Sequence, residues 1–133
     1  MPKVVPFPQL YSILHTFLRN DTYVTIEKTS RKFINNYGEF PQFINKADGD
    51  PWDVIVPGYK PLNHDRQYRF KELLGVYTLP NGNHKLIVDV HTPAKRDILT
   101  VHRDVKRFQK KYENHTNMKG SILYFGFNGI KIE

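Results

Sequence analysis

The sequence predicts a mainly β fold of the α+β kind: a small barrel or strongly curved sheet with a helix near each end. Three observations carry this. Five or so short apolar runs of strand length are separated by clusters of Pro, Gly, Asn and Asp. Two other stretches repeat apolar residues at intervals of three and four, the helical period. The chain has 133 residues, 39% of them apolar and 14% aromatic, which suits one domain with its own core.

The elements follow in order. Pro8 can open a helix to about Arg19, whose apolar face is Leu10, Ile13, Leu14, Phe17 and Leu18. Asn20-Asp21 ends it, so residues 1–21 read as a helical extension of a single domain spanning 1–133. Tyr23–Lys28 alternates as a strand does. Asn35, Asn36, Tyr37, Gly38 and Pro41 read as a loop, leading to the segment ADGDPWDVIVPG at 47–58. Within that segment Trp52–Val56 is a strand, closed by Pro57-Gly58, and 59–67 is a polar connection.

Tyr68–Leu79 and His84–Val90 form a hairpin about Pro80-Asn81-Gly82-Asn83, where Asn-Gly supplies the positive φ of a tight turn. Ile98, Val101, Val105, Phe108 and Tyr112 make residues 97–112 an amphipathic helix. Ser121–Phe127 and Ile130–Ile132 read as short strands joined by Asn128-Gly129.

Composition narrows the function classes. No apolar run approaches the ~18 residues of a membrane span, so no membrane partner is expected. The N-terminal MPKVVPFPQL has no small-residue cleavage site, so a signal peptide is not expected. The absence of cysteine excludes disulfides and thiolate zinc sites and fits a cytoplasmic location. The six histidines lack zinc spacing, and no P-loop or Ser-His-Asp arrangement is present.

Charge points to anionic partners: 20 Lys and Arg against 13 acids give +7. The excess concentrates in 94–112, where Lys95, Arg96, Arg103, Lys106, Arg107, Lys110 and Lys111 face only Asp97 and Asp104. That helix could make several contacts to a nucleic-acid backbone, or could simply be a solvated face.

Asp48, Asp50 and Asp53 crowd the mouth of an apolar strand. Like charges this close raise one another's pKa unless a cation or base compensates. An EF-hand is excluded, because counting from Asp48 puts Trp52 and Tyr59 at ligand positions. A polar turn and a site for a hard cation both remain open, but Asp53, one residue inside the apolar run, needs a strong partner in either case.

The stretch Asn36-Tyr37-Gly38 followed by Asp48-Gly49-Asp50-Pro51-Trp52-Asp53-Val54 resembles the signature of the family I soluble inorganic pyrophosphatases, N-Y-G and then D-G-D-P-x-D-V. Tyr23–Glu27, Leu74-Gly75-Val76 with Lys85–Val88, and Phe108–Tyr112 are similar to further family segments, so the resemblance covers roughly 22–132. It implies an OB-like five-stranded barrel of the soluble pyrophosphatase type. It also implies hydrolysis of pyrophosphate to phosphate with Mg²⁺, or Mn²⁺ in its place.

By that resemblance Asp50 holds the metals flanking the nucleophile, Asp53 shifts its proton, and Asp48 is a further ligand. Tyr37 and Tyr112 contact phosphate, Lys85 neutralises it, and Glu27 orients water. Apart from the resemblance, His84 stands beside Lys85 and could touch the same anion.

The chain also departs from the family. A metal-binding aspartate two residues before the lysine is Asn83 here, and the lysine after the helix tyrosine is Glu113. Both positions are expected at the rim of the site. A hairpin bearing phosphate-binding bases is missing between Glu27 and Phe33, where Lys28, Arg31 or Lys32 could substitute. Asp89, four residues beyond Lys85 on one strand face, either replaces a lost acid or is a rim aspartate paired with a base; the second is favoured. These losses imply a weakened enzyme. The alternative is a non-catalytic relative that binds phosphate-containing ligands or nucleic acid through 94–112; the sequence leaves a homo-oligomer open.

Overall fold

The computed structural model describes residues 22–27, 36–45, 49–93, 96 and 98–124. The expected N-terminal helix, Arg31, Asp48 and the strand residues after Tyr124 lie outside the described residues. Six strands and one helix follow in order: β1 (Tyr23–Ile26), β2 (Tyr37–Ile44), β3 (Pro51–Ile55), β4 (Gln67–Thr78), β5 (Lys85–Val90), α1 (Ile98–Thr116) and β6 (Ser121–Tyr124).

The sheet order β1-β2-β3-β5-β4 closes on itself, because β1 also pairs with β4 through Tyr23↔Arg69, Val24↔Tyr68 and Thr25↔Gln67. The result is a closed, mixed five-stranded barrel with one helix, and it is mainly β. Only β3–β5 is parallel. The second half of β4 pairs with β6 instead, from Gly75↔Tyr124 to Thr78↔Ser121. No described helix is long and apolar enough to cross a membrane.

Period-two alternation sends Val24, Ile26, Phe40, Trp52, Val54, Leu86, Val88 and Val90 into one buried cluster inside the barrel. The opposite faces of the same strands supply Tyr37, Ile55 and Ile87 to a second cluster, which Val101, Val105 and Phe108 of α1 cover. β5 is therefore buried on both faces along its whole length. On β4 the register shifts between Leu73 and Gly75. Such a bulge flips side-chain parity. Leu74 consequently joins the outer cluster while Val76, two residues on, joins the inner one.

Residues 36–44 correct the sequence reading, which made a loop of them. Tyr37–Ile44 is a strand, paired to β1 on one side and β3 on the other. Pro41 is tolerated because the β2–β3 register slips after Phe40↔Trp52, so its missing N–H falls at an irregularity. Gly38 is required there: any Cβ would run into the backbone carbonyl of Thr25. The hairpin lies where the sequence put it, with Gly82 at φ 83°. The helix runs to Thr116, four residues past its last apolar position, and the chain leaves it at Asn117 with φ 56°.

Candidate active site

The outer face of the barrel, beside the C-terminal half of α1, gathers side chains from four elements. Lys85, first in β5, is only 3% exposed, and its Nζ lies 2.6 Å from Oδ2 of Asp53 on β3. A buried ammonium needs such a partner. Asp53 is 23% exposed, so water reaches the pair from the carboxylate side. Tyr37 of β2 also donates a hydrogen bond to Asp53. Burial first, and then the Asp53 charge, push the Tyr37 hydroxyl far above its usual range, so it stays a neutral donor. Tyr112 of α1 places its ring 5.6 Å from Lys85 Nζ, a cation–π contact. Burial and the Asp53 charge push its hydroxyl up as well.

Aromatic packing sets these phenols. Phe108 stacks between Tyr37 and Tyr112, with centroids at 5.7 and 5.5 Å, while Tyr77 meets Phe108 and Tyr112 edge-on. The steps Val101, Val105, Phe108, Tyr112 along α1 thus place a phenol over Lys85 and fill the core with the same stripe.

Carboxylates surround the pair. Glu39 lies directly across from Asp53 in the β2–β3 register. Its carboxyl is raised above the ordinary range by burial and then by the charges of Glu27, Asp53 and Asp50. Sequence reasoning missed Glu39, although it sits two residues after Tyr37 and so on the same strand face. Reading the segment as a loop hid that signal. Asp50 is exposed at the end of a tight loop, where Asn45 N–H donates to the Asp50 carbonyl at 2.7 Å and Gly49 takes φ 79°. Asn83 carries a buried Oδ1 with no hydrogen-bond partner among the described residues.

Among the described residues no three Asp, Glu or His side chains stand close enough to share one ion. A Mg²⁺ ion can be held by one or two carboxylates with water completing its coordination, so single carboxylates such as Asp50 and Asp53 are the groups that could hold one. The orphaned Asn83 oxygen is a further donor, a neutral one.

No family model, curated protein or solved structure matches this chain. The site's chemistry therefore rests on its own geometry.

Other positions fall elsewhere. Asn36, first of the N-Y-G triplet, is a clamp: its amide donates to the carbonyls of Tyr59 and Lys60 at 3.2 Å and accepts from Leu62 N–H at 2.8 Å. His84 is buried, and its Nδ1 accepts from Leu79 N–H at 2.9 Å, so it closes the hairpin and is not turned to an anion.

Glu113 is not a rim residue. Its Oε2 accepts from Tyr77 Oη (3.3 Å), Gln109 Nε2 (3.3 Å) and Gly120 N–H (3.2 Å), locking the chain after α1 to the helix. Asp89 also corrects the reading of a rim aspartate: it is 2% exposed. It sits 2.9 Å from Arg96 Nη1, accepts from Tyr59 Oη at 2.6 Å and lies 3.9 Å from Lys71. Four residues along a strand separate it from Lys85 by about 13 Å, so the two form separate clusters.

Proposed function

We propose that the protein is a pyrophosphatase-type hydrolase that splits inorganic pyrophosphate with Mg²⁺, at reduced efficiency. One observation carries this reading. Tyr37, Asp53, Lys85 and Tyr112 are distant in sequence, and the pyrophosphatase resemblance groups them around one phosphate; they meet at one spot.

The division of labour follows from the chemistry of each group. Lys85 Nζ and the Tyr112 hydroxyl would donate to the oxygens of a transferring phosphoryl group, while Tyr37, whose one hydroxyl proton goes to Asp53, would hold that carboxylate in place. Asp53 accepts the proton of the attacking water as the P–O bond to the leaving phosphate breaks. Held by Asp50 or Asp53 and otherwise by water, Mg²⁺ would supply charge neutralisation and a more acidic bound water. Asn83 gives a neutral oxygen where the resembled family has a carboxylate, and Glu113 is occupied in holding Tyr77 and Gly120. Both reduce the positive and metal-binding character of the site, which accounts for a weakened enzyme.

The test is phosphate release from pyrophosphate at millimolar Mg²⁺, with Lys85→Met and Asp50→Asn as controls. Release that is Mg²⁺-dependent and lost in both variants supports the reading. Wild-type protein no better than its variants would end it.

A further inference from the structure

The face of α1 turned away from the barrel has a separate character. At 3.6 residues per turn, Arg103, Lys106, Arg107, Lys110 and Lys111 fall within about 140° of arc and about 12 Å of axial length. All five are exposed, and none forms an ion pair among the described residues. The two acids of α1 are engaged elsewhere. Asp104 accepts from Gly58 N–H at 3.0 Å, and Glu113 holds Gly120 and Tyr77. The stripe is thus purely cationic, on a helix fixed by Val101, Val105 and Phe108, each no more than 1% exposed.

The geometry points to a docking surface for the phosphate backbone of a double-stranded nucleic acid, independent of the hydrolase reading. Charge complementarity selects a polyanion, and 12 Å of stripe spans about three or four phosphates of one strand. An anionic membrane fits less well, because surface helices insert an apolar face and this one spends its own on the barrel. Leu99, 77% exposed, is the single large apolar side chain the helix leaves in the open among the described residues. A folded protein partner would need a buried aromatic or apolar anchor, which the stripe does not present.

The test is fluorescence anisotropy of a labelled 20-base-pair DNA duplex with the full chain between 50 and 200 mM NaCl. Three or four phosphate contacts give a log–log slope between about −2.7 and −3.6, a loss of about 40- to 150-fold in affinity over that range. The variant Lys106→Gln, Arg107→Gln, Lys110→Gln should flatten the slope by about 2.7. A variant with the same charge removed elsewhere, Lys60→Gln, Arg66→Gln, Arg69→Gln, should leave it nearly unchanged.

Pyrophosphate at 1 mM, with ionic strength held constant, should not displace the duplex, because the stripe and the Lys85 pocket lie on different faces of α1. Equal losses in the two triple variants would reduce the effect to net charge and overturn the assignment. So would absence of binding at 50 mM salt, tighter binding to phosphatidylserine vesicles or polyglutamate, or displacement by pyrophosphate.

Discussion

Lys85 and Asp89 stand four residues apart on one face of β5, both buried and both ion-paired, yet they sit in opposite kinds of environment. Asp89 is sealed: Arg96, itself only 9% exposed, and the Tyr59 hydroxyl satisfy it on the protein's own terms. Lys85 pairs with a carboxylate that water reaches, beside a Glu39 carboxyl that burial first, and then the neighbouring acids, push above its ordinary range. The first cluster is closed to water, with Arg96 Nη1 buried against Asp89. The second gathers several acids near one another, one of them in contact with water. A buried ion pair is therefore not in itself a functional sign; what surrounds it decides.

The contrast can be broken by experiment. Asp89→Ala should be the costliest change, lowering urea-unfolding stability by about 3 kcal/mol, because it leaves the buried Arg96 charge with only the more distant Glu72 carboxylate at 4.0 Å and the Tyr59 hydroxyl without its acceptor. Asp53→Asn, which keeps an oxygen acceptor for Lys85 at a pair open to water, should cost less than half of that. Equal costs would erase the distinction between a sealed cluster and an open one.

Activity should follow the opposite pattern. Lys85→Met should lower kcat/KM for pyrophosphate at least ~100-fold, about 2.7 kcal/mol of transition-state stabilisation. Asp89→Asn, which keeps the shape of the sealed cluster, should stay within a few-fold of wild type in the folded fraction. Steady-state phosphate release checks both.

Smaller effects sharpen the same line. Mg²⁺ at ten times its Kd should stabilise the wild type by about 1.4 kcal/mol in thermal unfolding, and Asp50→Asn should remove most of that gain. Asn83→Asp adds a charged ligand beside Lys85 and should raise kcat/KM up to about tenfold. Glu113→Lys, by contrast, should unfold more readily, since it orphans Tyr77 Oη and Gly120 N–H.

The smallest effect is one of pH. The Glu39 carboxyl has a raised pKa, so the folded state holds its proton more tightly than the unfolded chain does. Its contribution is favourable below the ordinary carboxylate range and is lost as pH rises through the raised value. Glu39→Gln should therefore raise Tm modestly at pH 7 and leave it unchanged at pH 4, and millimolar Mg²⁺ should narrow the difference at pH 7.

How much of this was legible in the sequence depends on the range of the signal. Short-range patterns gave the β4–β5 hairpin through Asn81-Gly82 and the apolar stripe of α1, because turn chemistry and periodicity are local. β2 was hidden: Asn36, Gly38 and Pro41 are turn formers, and only pairing on both sides overrides that preference. The last turn of α1 was hidden because its residues after Tyr112 are polar. The site's four residues span positions 37 to 112, beyond any local period, and only resemblance to a known motif grouped them. Nothing local marks Arg96 as the partner of Asp89, for it sits in a run of bases where exposure is the ordinary expectation.

The divided pairing of β4 has a consequence for self-association. β1 covers the edge of its first residues and β6 covers Gly75–Thr78, so the last four-residue strand shields an otherwise open run of N–H and C=O groups. Beneath that run lie Val76 and Tyr77, buried apolar side chains on a strand of high β-propensity. A chain cut after Gly120 would keep its barrel closed through β1 yet offer a sticky edge. Strand exchange between copies, or edge-to-edge aggregation, is then the expected fate, so β6, which also packs Ile122 against the outer cluster, guards the barrel against other molecules of the same protein.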